Sequence, residues 1–192
     1  GDEAVTLRDA KDVVILIAAA TDYIDSDFKE RVDSAVMCDK SYAAMRRDHI
    51  AAHRELFDRV VIDLGDQPCD ITTDERLARY ASGAKDAPLA ALYAQYGRYL
   101  LIASAHNAVL PPNLQGIWAN TTWCPWSGDM HLNINQQMNH WPLEVGNLTE
   151  LIDPLTRYTE GLVTSGEHTA QHFYDADGWC AHILANAWGF TS

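Results

Sequence analysis

The sequence predicts a mainly α-helical chain with remnants of β-strands near its N-terminal end. Apolar residues recur at helical spacing in several segments after Asp27, and Asp, Thr or Asn stands at the start of most of them. The run most typical of a buried strand, residues 13–20 (VVILIAAA), precedes all of these segments. We therefore expect a helical architecture that follows the end of a larger β-region.

Composition and charge narrow the class of protein. The 192 residues are 47% hydrophobic and 21% charged, which is enough apolar material for one or two domains with a core. A net charge of −13 repels phosphate backbones, and no apolar run has the length of a membrane span, so we expect neither nucleic acid nor membrane as a partner. The cysteines are irregularly spaced and are predicted to be buried or free thiols: Cys38, Cys69, Cys124 and Cys180.

The first third of the chain mixes predicted strands and helices. Residues 13–20 are interpreted as a strand that pairs with residues 4–7. Helical spacing begins near Asp27 and continues through residues 42–56. Residues 60–64 (VVIDL) then predict a short strand, which is followed by a linker.

Two helices in the middle of the chain have clear start signals. Thr72 with Glu75 three residues later forms a capping-box pattern, which predicts a short helix to about Ala81. Asp86 as the cap and Pro88 in the first turn predict the next helix. Its apolar stripe comprises Leu89, Leu92, Tyr93, Tyr96, Tyr99, Leu100 and Ala103.

A long loop and two further helices complete the predicted architecture. Residues 104–132 predict a loop, and loops of that length inside domains are usually functional. Asn133 is predicted to cap a short helix that Pro142 ends, and Asp153 to start a long one. The inner face of the long helix is expected to carry Leu155, Tyr158, Leu162 and Phe173. Residues 178–192 are predicted to be a loop.

Aromatic and amide side chains are concentrated in the second half of the chain. All the tryptophans lie there: Trp118, Trp123, Trp126, Trp141, Trp179 and Trp188. Beside them, eight of the twelve residues 129–140 (DMHLNINQQMNH) are polar. His131, Asn133 and Asn135 alternate, so in an extended segment they would face one side. Two interpretations remain open: a sugar-binding surface, or an aromatic core with Asn133 as a helix cap.

Histidine pairs and carboxylates offer two other kinds of site. His49/His53 and His168/His172 have helical i, i+4 spacing, but they lack the HExxH glutamate and a third ligand, so we predict no metal site. Asp129 and Glu144 are one conceivable pair of glycosidase carboxyls. Nothing in the sequence identifies an environment that would divide acid and base roles between these two.

Three stretches resemble glycoside hydrolase family 95, the inverting α-L-fucosidases. They are residues 96–118 (YGRYLLIASAHNAVLPPNLQGIW), 126–145 (WSGDMHLNINQQMNHWPLEV) and 178–191 (GWCAHILANAWGFT). The upstream segments 56–65 and 73–80 also resemble the family, so the resemblance covers nearly the whole chain. NLQGIW and HLNINQQMN are its most specific motifs.

The resemblance implies a division of the chain into three parts. Residues 1–26 would end an N-terminal β-sandwich domain, residues 27–72 would be a helical linker with a short strand, and residues 73–192 would begin an (α/α)6 catalytic barrel. Because the chain starts without Met and ends in loop-like sequence, we expect a piece of a longer polypeptide. The resemblance leads us to expect a secreted or periplasmic bacterial parent that uses no cofactor.

The resemblance also implies the reaction and its residues. Terminal 1,2-linked α-L-fucosyl groups would be hydrolysed with inversion, by a Glu acid and an Asp base that lie beyond this chain. Asn133 and Asn135 would hold the attacking water, which an inverting enzyme places opposite the leaving group. The implied substrate contacts are His131, Trp179, His182 and Trp188.

Two departures from the family pattern and three alternatives stay open. His140 stands where a Tyr is expected, and Ile183 where a second His is common, so an α-L-galactosidase of the same family is one alternative. A helical carbohydrate-binding or interaction module without catalysis is another, and a metal-dependent hydrolase built on the paired histidines is a third. The fucosidase interpretation predicts that the isolated chain is inactive, because the acid and base carboxylates would lie beyond it. Its expected partners are fucosylated oligosaccharides and the remaining domains of the parent chain.

Overall fold

The computed structural model describes residues 6–23, 26–66 and 70–192, which fall into two compact units, residues 1–53 and 54–192. The seven α-helices of the described residues are α1 (Phe28–Val36), α2 (Tyr42–Phe57), α3 (Thr73–Ala81), α4 (Ala87–Ala105), α5 (Asn135–His140), α6 (Asp153–Gly161) and α7 (Val163–Tyr174). Two short strands, β1 (Met130–His131) and β2 (Leu184–Ala185), form an antiparallel pair. The prediction of a mainly α-helical chain is therefore confirmed.

The first unit contains α1 and most of α2, and it lacks the predicted N-terminal strand. Residues 13–20 are neither helix nor strand in the structure, and the side chains of Ile15 and Ile17 are 75% and 89% exposed. An apolar β-branched run becomes a strand only when a neighbour accepts its backbone hydrogen bonds, and the described residues provide none. The proposed partner, residues 4–7, lies partly outside the described residues.

The helix α4 starts as its sequence predicts. The carboxylate of Asp86 accepts a hydrogen bond from the Leu89 amide at 3.0 Å, and Pro88 lies in the first turn. The same carboxylate accepts two hydrogen bonds of 2.8 Å from the guanidinium of Arg76 on α3. Thr72 precedes α3 as expected, but its side chain makes no capping hydrogen bond. The Asp86 cap therefore also joins the two helices.

Three local predictions are wrong. Residues 60–64 form no strand, and Ile134 rather than Asn133 directly precedes α5. The helix predicted after Asp153 is divided into α6 and α7, since the Leu162 amide bonds three residues back to Thr159 with the tighter spacing of a 3-10 turn. After that turn the chain no longer continues the predicted inner face, so Phe173, which was expected to be on it, is 57% exposed.

The core of the second unit consists of two apolar clusters. The first contains Leu56, Leu101, Ile102, Ala105, Leu143, Leu148 and Leu151. The second contains Met130, Tyr158, Leu162 and Ala185, so it lies under the β1–β2 pair. The guanidinium of Arg98 on α4 donates to the carbonyls of Leu56 at 3.0 Å, Phe57 at 2.8 Å and Gly146 at 3.0 Å. This arginine ties α4 to the end of α2.

Two further sequence predictions concern cysteines and membranes. Cys38, Cys124 and Cys180 are free thiols, as expected, and Cys69 lies outside the described residues. Within the part of the chain that the structure describes, no helix has both the length and the apolar character needed to cross a bilayer.

Candidate functional site

The NLQGIW motif forms a tight turn that an aromatic ring closes. The backbones of Asn113 and Gly116 exchange hydrogen bonds of 3.1 and 3.0 Å, and the Asn113 side-chain oxygen accepts from the Gln115 amide at 2.8 Å. Gly116 has a φ of +69°, and a Cβ there would lie 2.6 Å from the Trp118 ring. Glycine is favoured at this position because the backbone angle and the Trp118 ring both act against a side chain.

Amide side chains of the polar run hold this turn in place. Gln136 donates to the Pro112 carbonyl at 2.8 Å, and Asn139 donates to the Asn113 carbonyl at 3.0 Å. Gln137 donates at 2.6 Å to the carbonyl of Leu132 within its own segment. These three amides are therefore used to satisfy backbone groups, which is the most frequent use of a side-chain donor.

Asn133 and Asn135 differ from those neighbouring amides. Neither side chain makes a hydrogen bond to any residue that the structure describes. Asn133 is exposed and Asn135 is half-buried. Both amides are thus available to a ligand, whereas the amides that follow them in sequence are not.

The prediction that His131, Asn133 and Asn135 face one side of an extended segment is wrong. His131 lies in β1, residues 132–134 form a turn, and Asn135 is the first residue of α5. The three side chains therefore do not project from one extended segment. Their relative directions depend on how the strand, the turn and the helix are packed.

His131 is held close to a carboxylate. Its Nδ1 lies 2.6 Å from Oδ1 of Asp129, and the two side chains are 13% and 20% exposed. Both atoms are shielded from solvent, and the contact lacks the alignment of a straight hydrogen bond. His131 is opposite Leu184 in the β1–β2 pair, and the Leu132 amide donates to the Ile183 carbonyl at 2.8 Å. The backbone around His131 is thereby fixed to the tail of the chain.

The structure places His182 beside Asn133. Both line an open cleft of about 540 Å³ together with Leu132, Ile183 and Leu184. The Nε2 of His182 is 2.6 Å from the Tyr174 hydroxyl, and its ring meets Phe173 edge-on at 5.5 Å. One nitrogen of His182 is therefore engaged by α7, and the mostly apolar lining of the cleft includes the polar residues Asn133, His182 and Ser192.

The two predicted tryptophans do not line that cleft. Trp179 lies against α7, where a Cβ on Gly166 would be 2.9 Å from its ring, so it packs as a structural contact. Trp188 is 82% exposed and lines a second cleft of about 450 Å³, which also contains Asp129 and Asn186. Asn186 shapes this loop, because its side-chain oxygen accepts from the Trp188 amide at 3.0 Å and the Phe190 amide at 3.3 Å.

A larger cleft of about 730 Å³ contains none of the predicted site residues. It lies along α4 beside the NLQGIW turn, and Tyr96 and Trp118 contribute to its mostly apolar lining. Among its polar members, Arg98, Ser104 and Asn139 are already bonded to backbone carbonyls, whereas the side-chain oxygen of Gln115 is buried without a partner in the described part of the chain. We therefore do not assign the chemistry to this cleft, despite its size.

Sequence reasoning missed three residues: Asp129 and Asn186, which line the cleft of about 450 Å³, and Tyr174, which bonds to His182. From the sequence, Asp129 is named only as half of a carboxylate pair with Glu144. Its i, i+2 spacing from His131 is a signal that the two side chains lie on one face of an extended segment. Tyr174 and Asn186 carry no local sequence signal, because their partners are distant in sequence. Tyr174 contacts His182, 8 residues away, and the Asn186 carbonyl accepts a hydrogen bond from Tyr158, 28 residues away.

No three histidine, cysteine or acidic side chains gather into a metal-binding group within residues 6–23, 26–66 and 70–192. The rings of His49 and His53 stack with centroids 6.4 Å apart. His172 instead meets Phe173 edge-on at 5.2 Å. His140, the departure noted above, is buried and donates from Nδ1 to the Gln136 carbonyl at 2.7 Å.

Comparisons with known proteins agree on one family. A sequence model of the glycosyl hydrolase family 95 catalytic domain matches residues 41–192. Alpha-L-fucosidase 2 of Arabidopsis thaliana is 35% identical over 210 aligned residues, which cover 100% of this chain and 25% of that protein. Probable alpha-fucosidase A of Aspergillus niger is 38% identical, and the alignment covers 80% of this chain and 20% of that protein. Its Aspergillus oryzae counterpart is 32% identical over 100% of this chain and 29% of its own length. The chain thus spans about a quarter of the length of these relatives.

Proposed function

The chain belongs to glycosyl hydrolase family 95, and on that premise we propose that it supplies the water-positioning part of an inverting α-L-fucosidase. In this proposal Asn133 and Asn135 hold the attacking water, and His131 and His182 contact the sugar. The general acid and base are supplied by a longer polypeptide, in which residues 73–192 begin an (α/α)6 barrel. The parent protein is secreted or periplasmic and acts on terminal 1,2-linked α-L-fucosyl groups.

One observation carries this proposal. In the described part of the chain, Asn133 and Asn135 leave their amides unbonded, while Gln136, Gln137 and Asn139 use theirs on backbone carbonyls. An unbonded amide oxygen can accept a hydrogen bond from water and direct the water's lone pair towards an anomeric carbon. A neutral amide does this without adding a charge that would compete with the base.

The cleft geometry supports a sugar as the ligand. Asn133 and His182 line the same open cleft, so an amide and an imidazole face one volume of about 540 Å³. Sugar hydroxyls need both donors and acceptors, and these two side-chain types provide them. A neutral sugar is also compatible with the net charge of −13.

The test is turnover of 2′-fucosyllactose by the protein that contains this chain. Asn133→Ala and Asn135→Ala should each lower kcat by about 100-fold or more with a smaller change in KM, as expected for a group that acts in the transition state. Asn120→Ala is the matched control, because Asn120 is exposed and lies outside both small clefts. Unchanged kcat in both variants would refute the water-positioning role.

A carbohydrate-binding module without catalysis is the second candidate, favoured by the exposure of Trp123 and Trp188, which is 91% and 82%. Exposed aromatic faces are available for stacking on sugar rings. This candidate predicts that 2′-fucosyllactose binds to the protein but is never hydrolysed. Turnover of L-galactosyl rather than L-fucosyl substrates would instead indicate the galactosidase alternative.

A further inference from the structure

The backbone that carries His182 is fixed on two sides. The His182 amide donates to the Thr191 carbonyl at 2.9 Å, and the buried Thr191 hydroxyl lies 2.8 Å from that of Thr169 on α7. On the other side, the Ile183 carbonyl accepts from the Leu132 amide at 2.8 Å. Because the backbone is held, only the side-chain torsions of His182 remain to decide which ring nitrogen faces the cleft of about 540 Å³.

Aromatic neighbours restrict the ring of His182 without choosing between its two orientations. Phe173 meets the ring edge-on with centroids 5.5 Å apart, and the Tyr174 ring lies at 5.8 Å with an interplanar angle of 67°. The outer torsion of a histidine is broad and roughly two-fold, so a turn of about 180° would keep similar aromatic contacts and exchange nitrogen for carbon. A hydrogen bond is needed to select one orientation.

The Tyr174 hydroxyl supplies that hydrogen bond. It lies 2.6 Å from Nε2 of His182, and a hydroxyl can bond a ring nitrogen as donor or as acceptor, so the bond forms with either tautomer. In the turned orientation a ring carbon would meet the hydroxyl instead. Nδ1 of His182 makes no hydrogen bond to any residue that the structure describes, so it is the nitrogen left for a ligand.

The end of α7 holds Tyr174 in place. Tyr174 is the last residue of the helix, and Asp175 after it has a left-handed φ of 47°. The Asp175 amide donates to the Gln171 carbonyl at 3.1 Å, and the Gln171 side chain donates to Oδ1 of Asp175 at 2.6 Å. Helices frequently end in a left-handed residue because it closes the last turn. The helix end therefore sets the position from which the Tyr174 hydroxyl reaches His182.

We propose that Tyr174 is a positioning residue that selects the orientation of the His182 imidazole, so that Nδ1 faces the cleft that His182 shares with Asn133. The role of Nδ1 as a contact for a sugar hydroxyl rests on the proposed function. The orientation of the ring does not, because it follows from the contacts with α7. Tyr174 is not one of the residues that line this cleft, so it acts on a ligand only through His182.

The first test is the kinetics of 2′-fucosyllactose hydrolysis by the protein that contains this chain. Tyr174→Phe keeps the ring and removes the hydroxyl, and we expect KM to rise by about 2- to 10-fold with kcat unchanged, which corresponds to the net contribution of one hydrogen bond to binding. Tyr42→Phe is the matched control, since Tyr42 is 61% exposed, as Tyr174 is 60% exposed, and lies outside both small clefts. An unchanged KM in Tyr174→Phe would count against the proposal.

A double-mutant cycle shows whether Tyr174 acts through His182. His182→Ala removes the imidazole, so Tyr174→Phe should raise KM no further in that background. An equal rise in KM with and without the imidazole would assign the effect of Tyr174 to another contact and overturn the proposal.

Neutron diffraction from crystals of the same protein separates this inference from the proposed function, because it distinguishes ring nitrogen from ring carbon and needs no turnover. We expect a nitrogen of His182 beside the Tyr174 hydroxyl, and both ring orientations in Tyr174→Phe. That result in a protein that does not hydrolyse 2′-fucosyllactose would support the role of Tyr174 and count against the proposed function. One unchanged orientation in Tyr174→Phe would overturn the role of Tyr174, even in a protein that hydrolyses the substrate.

Discussion

The side-chain amide of Gln136 donates a hydrogen bond of 2.8 Å to the carbonyl oxygen of Pro112. Gln136 is 3% exposed, and the bond joins segments 24 residues apart. Asn139 adds a parallel connection to the Asn113 carbonyl at 3.0 Å. The two motifs most specific to the family are therefore one structural unit, and Asn133 and Asn135 stand at its edge.

Removal of the Gln136 amide should destabilise this unit. Gln136→Ala leaves the buried Pro112 carbonyl without its donor, and we expect a loss of about 1–3 kcal/mol in the free energy of unfolding, measured by urea denaturation. Gln137→Ala is the control, because its bond to Leu132 is exposed and should be worth less than about 0.5 kcal/mol. Equal losses in the two variants would contradict the assigned role of Gln136.

A side chain at Gly116 should disturb the NLQGIW turn. Gly116→Ala meets the Trp118 ring at 2.6 Å with a φ of +69°, so we expect a destabilisation of more than about 1 kcal/mol in thermal or urea unfolding. Gly97→Ala provides the opposite case. Gly97 lies inside α4 with no atom near an added Cβ, and alanine there should stabilise by about 0.5–1 kcal/mol. Similar effects at both glycines would show that the Trp118 contact is unimportant.

Arg98 should be among the most sensitive positions in the second unit. Its guanidinium is buried and donates to the carbonyls of four residues, and burial is the main reason that the pKa of Arg98 is lowered from its ordinary value. We expect Arg98→Ala to lower the free energy of unfolding by about 3 kcal/mol or more, and Arg98→Lys to recover only part of this.

Arg54→Ala is the control for Arg98. Arg54 pairs with Asp58 at 3.8 Å on an exposed surface, so its loss should change stability by less than about 1 kcal/mol. A comparable loss from the two arginines would mean that the carbonyl contacts of Arg98 add nothing to stability.

Stability should fall in acid through the pairing of Arg76 and Asp86. The hydrogen bonds from Arg76 are the main cause that holds the pKa of Asp86 below its ordinary value of 3.8. A carboxyl with a lowered pKa in the folded state contributes stability that is present above pH 3.8 and is lost as the pH falls through the folded pKa. Urea midpoints should therefore drop below that pH, and Asp86→Asn should reduce the drop. An acid dependence that Asp86→Asn leaves unchanged would assign the effect to other carboxyls.

Local sequence signals predicted some elements well. Asp86 and Pro88 define the start of α4, because a cap and a first-turn proline act within a few residues of each other. The strands predicted at residues 13–20 and 60–64 do not form, because a strand depends on a neighbour that β-branched composition cannot supply. The sequence does not predict the β1–β2 pair, because each strand is only two residues long and depends on the other for its hydrogen bonds.

The sequence by itself determined that this chain is mainly helical and belongs to a sugar-cleaving family, because helix signals are local and NLQGIW and HLNINQQMN are specific. Only the tertiary structure decided which amides of the polar run are already bonded and which are free for a ligand. The physical reason is that the partners of Gln136 and Asn139 lie 24 and 26 residues away. The cleft that Asn133 and His182 share likewise lies beside the pairing of β1 with β2, which no single segment encodes.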